Sequence, residues 1–409
     1  MIDRREFLLT TAAVAATTTQ SEIPSKALPS GRAGSSELGR ALRADFPRAA
    51  SEVYLNAAGQ HPLGLPMLRA MERHLRYEAY GAGEDRAYFS RADQTALKEE
   101  YGRLIHAEAD EIAFVQSTSD GENVVVAGLD LPRKGGNVVV DDLHFTTSLY
   151  MYKTLEARGL ELRVVKARDG RIPLEAMDRA IDRETRLVSM ALASNVNGYL
   201  HDAAAIATLA HERGAYLYAD VIQAVGAVPV DVKAMGIDFA AASTYKWLMA
   251  ERGFGLLYVR KDLQGTVLPT TRWGHRQVRR FDRRRLTWEE LPGAARYETG
   301  NISEPMAAAA LAGVRYIQGL GIENIVAHAQ RLVGRMRAEL PELGYPCLTP
   351  AGTATPIVAF ATPDPEDAGR RLQEAGIRFS GSAREKRLRL SVSVFNDDDD
   401  VDQLIATLA

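Results

Sequence analysis

The lysine of this chain best placed for chemistry comes directly after an apolar run. Residues 239–242 are Phe and three Ala, and Ser243, Thr244, Tyr245 and Lys246 follow. An ammonium in that setting must be desolvated or paired. Lysines whose pKa is lowered by such surroundings are the ones that form Schiff bases. Earlier in the chain a second apolar stretch, Tyr218 and Ala219, closes on Asp220, with Gln223 just beyond it. A carboxylate, a serine, a tyrosine and a lysine therefore gather at the ends of two strands, where open α/β sheets bind their ligands.

Other polar groups fall at comparable places. Residues 112–115 read as a strand, 117–121 as a turn and 122–129 as the start of a helix. Thr118 and Ser119 thus stand where unpaired N–H groups and the positive end of a helix dipole could take an anion. A plain Ser/Asp helix cap would account for the same residues. The strand at 138–140 closes on a segment containing His144 and Phe145; an aromatic ring there either stacks on a flat cofactor or caps the core. His144 taken alone reads as an exposed turn histidine. Asn195 follows the strand at 187–192, on the same rim, in a run whose Asn and Gly also suit a turn.

These positions require an alternating scaffold, and the chain supplies one. Strands at 112–115, 138–140, 162–165, 187–192 and 215–219 alternate with helices at 174–181 and 203–213, the last capped by Asp202 and ended by Gly214. Such alternation implies a parallel sheet with crossovers. Ahead of it lie a helical segment at 38–46, a short strand at Val53–Tyr54, and a turn-rich loop at 56–62. That loop, with Ala58 on its substrate side, is expected to form an arm near the site. Helical spacing covers 66–80 and 93–106. After residue 303 the chain turns Ala-rich and helical, then reads strand, helix, strand, helix, a small α+β unit with Arg389 on its second strand. The basic segment 279–285 reads as a solvated face, with Trp273 and His275 as candidates on the substrate side.

Composition sets the limits. The 409 residues are 46% hydrophobic and 25% charged, ordinary globular material. A net charge of -3 argues against nucleic acid as a partner. The single cysteine, Cys347, excludes an internal disulfide framework and a cysteine-rich metal site, and no metal is expected. No apolar run approaches the roughly 20 residues needed to span a bilayer. At the amino terminus Arg4 and Arg5, then Phe7, Leu8 and a weakly apolar stretch, resemble a twin-arginine export signal, with Ala13, Val14 and Ala15 as a small-residue cleavage site. The expectation is an exported or periplasmic protein, the alternative a cytoplasmic one with a basic tail.

Taken together, Asp220 with Gln223, Ser243 with Tyr245 and Lys246, residues 252–259, Ser194–Asn195–Gly198, residues 297–301 and residues 387–396 resemble the class V aminotransferases. These are fold-type I pyridoxal phosphate enzymes, with cysteine desulfurases, isopenicillin N epimerase-like proteins and kynureninase among the relatives. The resemblance implies a large cofactor domain at 61–301 with a mostly parallel seven-stranded sheet, an arm at 33–60 and a small α+β domain at 302–409, behind a signal and linker at 1–32. It further implies that Lys246 carries pyridoxal 5'-phosphate as a Schiff base and shuttles the Cα proton, and that Asp220 pairs with the pyridine nitrogen. Gln223 would bond the phenolic oxygen, with Asn195 nearby. Phe145 would stack as in kynureninase, or His144 as in the desulfurases. Thr118, Ser119, Ser243 and Tyr245 would hold the phosphate. Gly300 and Asn301 would reach the partner's phosphate across a homodimer interface, with Asn301 where the family has Thr. Arg389 would clamp the carboxylate of a small amino acid substrate.

One departure narrows this. Desulfurases carry a thiol shortly before the last strand, whereas residues 379–386 contain none and Cys347 lies well upstream. An aminotransferase or epimerase acting at Cα is therefore the first reading. A C–S or C–C lyase without a catalytic cysteine is the alternative, and a non-catalytic scaffold the third.

Overall fold

Alternating β-branched runs and short helices between residues 112 and 259 fold as crossover units, because a parallel pair needs a covering helix to bring the chain back. The computed structural model describes residues 35–409, so the twin-arginine stretch lies outside the described residues. The first elements are α1 (Ser35–Leu42), β1 (Val53–Tyr54), α2 (Leu65–Tyr80) and α3 (Arg91–Ile105). The crossover region comprises β2 (Ile112–Val115), α4 (Thr118–Gly128), β3 (Asn137–Asp141), α5 (Thr146–Glu156), β4 (Glu161–Val165), α6 (Leu174–Ala180), β5 (Thr185–Ala191), α7 (Ala203–Glu212), β6 (Tyr216–Asp220), β7 (Phe239–Ser243) and β8 (Gly255–Val259). A hairpin follows, β9 (Val278–Asp282) and β10 (Thr287–Glu290), then α8 (Glu304–Leu320) and α9 (Ile322–Glu339). The chain closes with β11 (Ile357–Ala361), α10 (Pro365–Glu374), β12 (Ile377–Arg378), β13 (Ser380–Ser382), β14 (Arg387–Ser391) and α11 (Asp398–Leu408).

Seven strands make one sheet in the order β2-β8-β7-β6-β5-β3-β4. Only β8 runs against its neighbours; β7, β6, β5, β3 and β4 are mutually parallel. Side chains alternate between two cores, as a two-residue period demands. Leu217 and Ala219 join the core that holds Met67, Leu97 and Ala307, while Tyr218 joins the one that holds Val125 and Tyr152. Asp220 continues the Tyr218 face. Register aligns Ala191 with Asp220 and Asp220 with Ala241, so the carboxyl ends of β5, β6 and β7 finish side by side.

The C-terminal strands form a separate antiparallel sheet, β11-β14-β13. In β14 Leu388 and Leu390 are buried, so the same alternation places Arg387 and Arg389 on the opposite face. The arm is stitched into this layer: β1 pairs in parallel with β12, and Val53 and Leu55 share its core. Asn396 Nδ2 donates to Tyr54 O at 3.1 Å.

Helix α8 packs against α2 and α3 and reaches the chain just past Lys246. A Cβ on Gly313 would stand 2.1 Å from Leu248 O, and one on Gly226 (φ +87°) 2.6 Å from Trp247 O. Two glycines thus grip the backbone that follows the lysine.

Three local expectations change. Helix α4 begins at Thr118, because Ser117 Oγ accepts the Asp120 N–H at 3.1 Å and caps it; the segment is not a turn. Helix α5, right after Phe145, is absent from the sequence reading, since Thr146 and Thr147 give no helical start signal. The basic segment is one arm of a hairpin whose Phe281 and Trp288 stack with centroids 6.4 Å apart. Ala substitution in a helix interior normally stabilises by up to about 1 kcal/mol. At Gly313 the clash with Leu248 O reverses the sign, and Gly313→Ala is expected to lower stability by about 2 kcal/mol in urea unfolding.

Candidate active site

Lys246 stands on a turn held by its own backbone. Met249 N–H donates to Lys246 O at 2.8 Å, Ala250 N–H to Thr244 O at 3.0 Å, and Thr244 N–H to Phe254 O at 3.1 Å. Met249 has φ +58°, a left-handed conformation that costs energy for a residue with a Cβ and persists where surroundings over-determine it. Lys246 as a whole is 6% exposed. Its Nζ lies 5.8 Å from the Tyr245 ring centre and has no hydrogen-bond partner among the described residues.

Burial governs the electrostatics here. It pushes the Lys246 amine down to about 8, with the Asp220 charge opposing and the Arg389 charge adding to the fall. It pushes Asp220 up to about 6, against the Ile222 N–H donated to Oδ1 at 3.0 Å and against the Lys246 charge. Arg389 falls to about 10, by burial and then by Arg387. An acid and an amine with values this close hold a charge pair only in a narrow window around neutrality. A little above it, the amine is largely free base and nucleophilic.

Around this centre the expected residues meet, with some reassignment. Ser243 Oγ accepts the Thr118 N–H at 2.8 Å, and Ser243 N–H donates to Thr118 Oγ1 at 2.9 Å. The two lock α4 to β7, which leaves Ser119 the N-terminal amide of α4 without a side-chain acceptor. Tyr245 presents its ring to the Arg252 guanidinium at 5.3 Å. Gln223 Nε2 donates to Ala58 O and its Oε1 accepts the Trp247 indole N–H, both at 2.9 Å. Ala58 N–H donates to Ser391 Oγ at 2.9 Å, so the arm loop is tied at both backbone groups of Ala58. Arg389 Nη1 donates to Asn195 O at 2.7 Å.

His144 and Phe145 separate clearly. The His144 ring is fully buried with both nitrogens engaged, Nδ1 to Phe145 N–H at 2.7 Å and Nε2 to Ser189 Oγ at 2.9 Å. It is therefore not the exposed turn residue that its context suggests. Phe145 is only half-buried and caps α5. Gly300 and Asn301 are exposed, with nothing within 4 Å of a Cβ on Gly300, and the described contacts do not bring them into the cluster. Trp273 and His275 are exposed as well.

Sequence reasoning missed Trp247, which orients Gln223, and Glu122. Glu122 is 2% exposed, and its carboxylate takes the hydroxyls of Ser148 (2.6 Å), Tyr152 (3.0 Å) and Ser189 (3.0 Å). Burial pushes it up to about 7; the Ser148 hydrogen bond pulls it back and the Asp220 charge adds to the rise. Its signal was a carboxylate on the same helical stripe as Val125, Val126 and Leu129.

Several buried groups await a partner. Asn195 Oδ1 and Arg389 Nε are both buried without one, and the Lys246 side chain, on a residue only 6% exposed, makes no hydrogen bond among the described residues either. An amine coupled by charge to an acid and a guanidinium, an amide held next to that guanidinium and a helix start locked to the strand before the lysine are the donor set that suits a planar anionic aldehyde with a ring nitrogen and a phosphate. Fold and site thus define an α/β enzyme that uses pyridoxal phosphate. The aminotransferase class-V family profile matches residues 53–404, and the chain belongs to that family.

Among its relatives is a probable cysteine desulfurase of Methanothermobacter thermautotrophicus, 32% identical over 82% of this chain and 85% of the relative. The apo cysteine desulfurase of Thermococcus onnurineus NA1 has the same fold at a TM-score of 0.80, 24% identical, covering 90% of this chain and 96% of the other. The cystine C–S lyase C-DES, solved with its product cysteine persulfide, matches at a TM-score of 0.78 and 21% identity, covering 89% of this chain and 98% of the other.

The buried amine has a cost in stability. The unfolded chain holds the Lys246 proton up to about 10.5 and the folded chain only up to about 8, so this penalty is complete below pH 8 and fades between 8 and 10.5. Lys246→Met is expected to stabilise the cofactor-free protein by about 2 kcal/mol at pH 7. That gain should shrink as pH rises through this interval in a series of thermal unfolding curves.

Proposed function

We propose that the protein is a pyridoxal-phosphate-dependent C–S lyase. Its substrate is an amino acid with a sulfur leaving group on Cβ, of the cysteine or cystine type, and the sulfur is released to solution. The observation that carries this reading is the buried Lys246 residue whose amine feels the charges of both Asp220 and Arg389, in a chain without a thiol in residues 379–386. The cofactor, when bound, supplies an aldehyde for the substrate's amino group and a ring that takes up the electron pair of a broken Cα–H bond.

Each residue then has a task. Arg389 holds the substrate carboxylate and so fixes which Cα bond faces Lys246. Lys246, with its value lowered to about 8, takes the proton from Cα. Asp220 would hold the ring nitrogen, and as an acid there it would keep that nitrogen protonated. Ser119 N–H, Thr118 and Ser243 serve the phosphate end, while Gln223 and Asn195 serve the phenolic side. Phe145, the half-buried ring, would stack on the cofactor, with His144 bonded to its backbone from behind. The exposed Gly300 and Asn301 support a homodimer in which one chain completes the partner's phosphate site.

Transamination and epimerisation also start by removing the Cα proton, so the site alone permits them. The desulfurase and C–S lyase names of the relatives favour cleavage at Cβ. Sulfur transfer to an enzyme thiol is disfavoured by geometry. Residues 380–382 form β13, and Cys347, whose Sγ donates to Thr349 O at 3.5 Å, packs against the apolar core that holds Leu388 and Leu390, on the face of the sheet opposite Arg389. Elimination from cystine yields cysteine persulfide and, after water adds, pyruvate and ammonia.

With L-cystine the holoenzyme should release pyruvate and persulfide sulfur in equal amounts. Lys246→Ala should lose activity by at least about a thousandfold, and Cys347→Ala should retain it. A keto acid formed without sulfur release, a racemised amino acid, or dependence on Cys347 would each overturn the proposal.

A further inference from the structure

The hydrogen bonds behind His144 have a direction that geometry alone settles. A backbone amide only donates, so His144 Nδ1 accepts from Phe145 N–H at 2.7 Å. Nδ1 therefore carries no proton, the ring is neutral, and its one proton sits on Nε2. That proton points at Ser189 Oγ, 2.9 Å away. Having accepted it, the serine directs its own proton to Glu122 Oε1 at 3.0 Å. Tyr152 donates to the same oxygen and Ser148 to Oε2, so the carboxylate ends the chain as an acceptor of three hydroxyls. The path runs from α4, across β5, to the loop that caps α5.

From this arrangement we propose that Glu122 is a positioning residue for the cofactor site. By holding the Ser189 proton it leaves Ser189 Oγ only an acceptor toward His144 Nε2, so it secures from the far side the tautomer that accepts the Phe145 N–H, and with it the backbone of Phe145, whose half-buried ring would border the cofactor. The proposal rests on the pyridoxal phosphate reading of the site. Nothing in the chain of hydrogen bonds requires Glu122 to touch substrate or cofactor. Its carboxylate stands one helical turn past Thr118 and Ser119, on the helix whose start serves the phosphate. A loss at Glu122 therefore reaches the site through Phe145, while Thr118 and Ser243 stay locked together.

The test combines two readouts on folded protein. Nitrogen-15 spectra of histidine-labelled protein, with His144 assigned by His144→Gln, report the ring's tautomer without any cofactor. Titration with pyridoxal phosphate reports affinity and the induced circular dichroism of the bound chromophore. Wild type should show a single Nε2-protonated His144. Glu122→Leu and Ser189→Ala should mix the tautomers, weaken cofactor binding about tenfold and change the dichroism. Glu122→Gln, which keeps an acceptor oxygen for Ser189, should restore both readouts to near wild type.

Should Glu122→Leu fail to fold, Ser189→Ala cuts the same path at its middle and carries the test. Folded Ser189→Ala protein with wild-type tautomer and affinity would overturn the proposal. So would a wild-type ring protonated on Nδ1. A wild type that binds no pyridoxal phosphate yet shows the expected tautomer would instead sink the functional reading and leave the hydrogen-bond path standing.

Discussion

An ammonium taken out of water, with a single carboxylate to offset it, is the constraint around which this molecule is arranged. Lys246 and Asp220 are each shifted toward the uncharged form. Their mutual attraction is therefore weaker than the loss of hydration, which is the usual balance for buried ions. In a purely structural pair this would be a defect. At the carboxyl ends of parallel strands it gives a nucleophilic amine and an acid of adjusted strength, the combination that carbonyl chemistry on an amino acid needs.

Holding that pair demands rigidity from elements that have no chemistry themselves. β6 and β7 lie next to each other in register, which sets the spacing of Asp220 and the lysine turn. Gly226 and Gly313 admit two pieces of backbone to within contact of Trp247 and Leu248, and Met249 absorbs the remaining strain. Helix α4 is joined to β7 by the reciprocal bonds of Thr118 and Ser243. The C-terminal sheet then swings Arg389 in from the far end of the chain, and its bond to Asn195 O fixes where that guanidinium sits.

Much of this is legible in the amino-acid sequence because the relevant patterns are local. A two-residue period in Arg387, Leu388, Arg389 and Leu390 already separates the buried leucines from the arginines, and apolar runs ending in Asp220 and Ser243 mark strand ends. What sequence hides is non-local. The pairing of β1 with β12 joins residues that nothing in either stretch connects. The approach of Gly313 to Leu248 is invisible in an Ala-rich helix. Glu122 is obscured by a helix boundary: with a turn at 117–121 it reads as the first helical residue, whereas the Ser117 cap puts it a full turn inside α4, facing Ser148 and Ser189. The hairpin at 278–290 is hidden for a different reason, since its strands are almost wholly exposed and their few apolar residues, Val278, Phe281 and Trp288, show no two-residue alternation.

The account stands or falls on which amine takes the cofactor. Protein loaded with pyridoxal phosphate, reduced with borohydride, digested and mapped by mass spectrometry should carry the phosphopyridoxyl group on the peptide containing Lys246 and on no other. A label spread over surface lysines, or fixed at a different one, would contradict it.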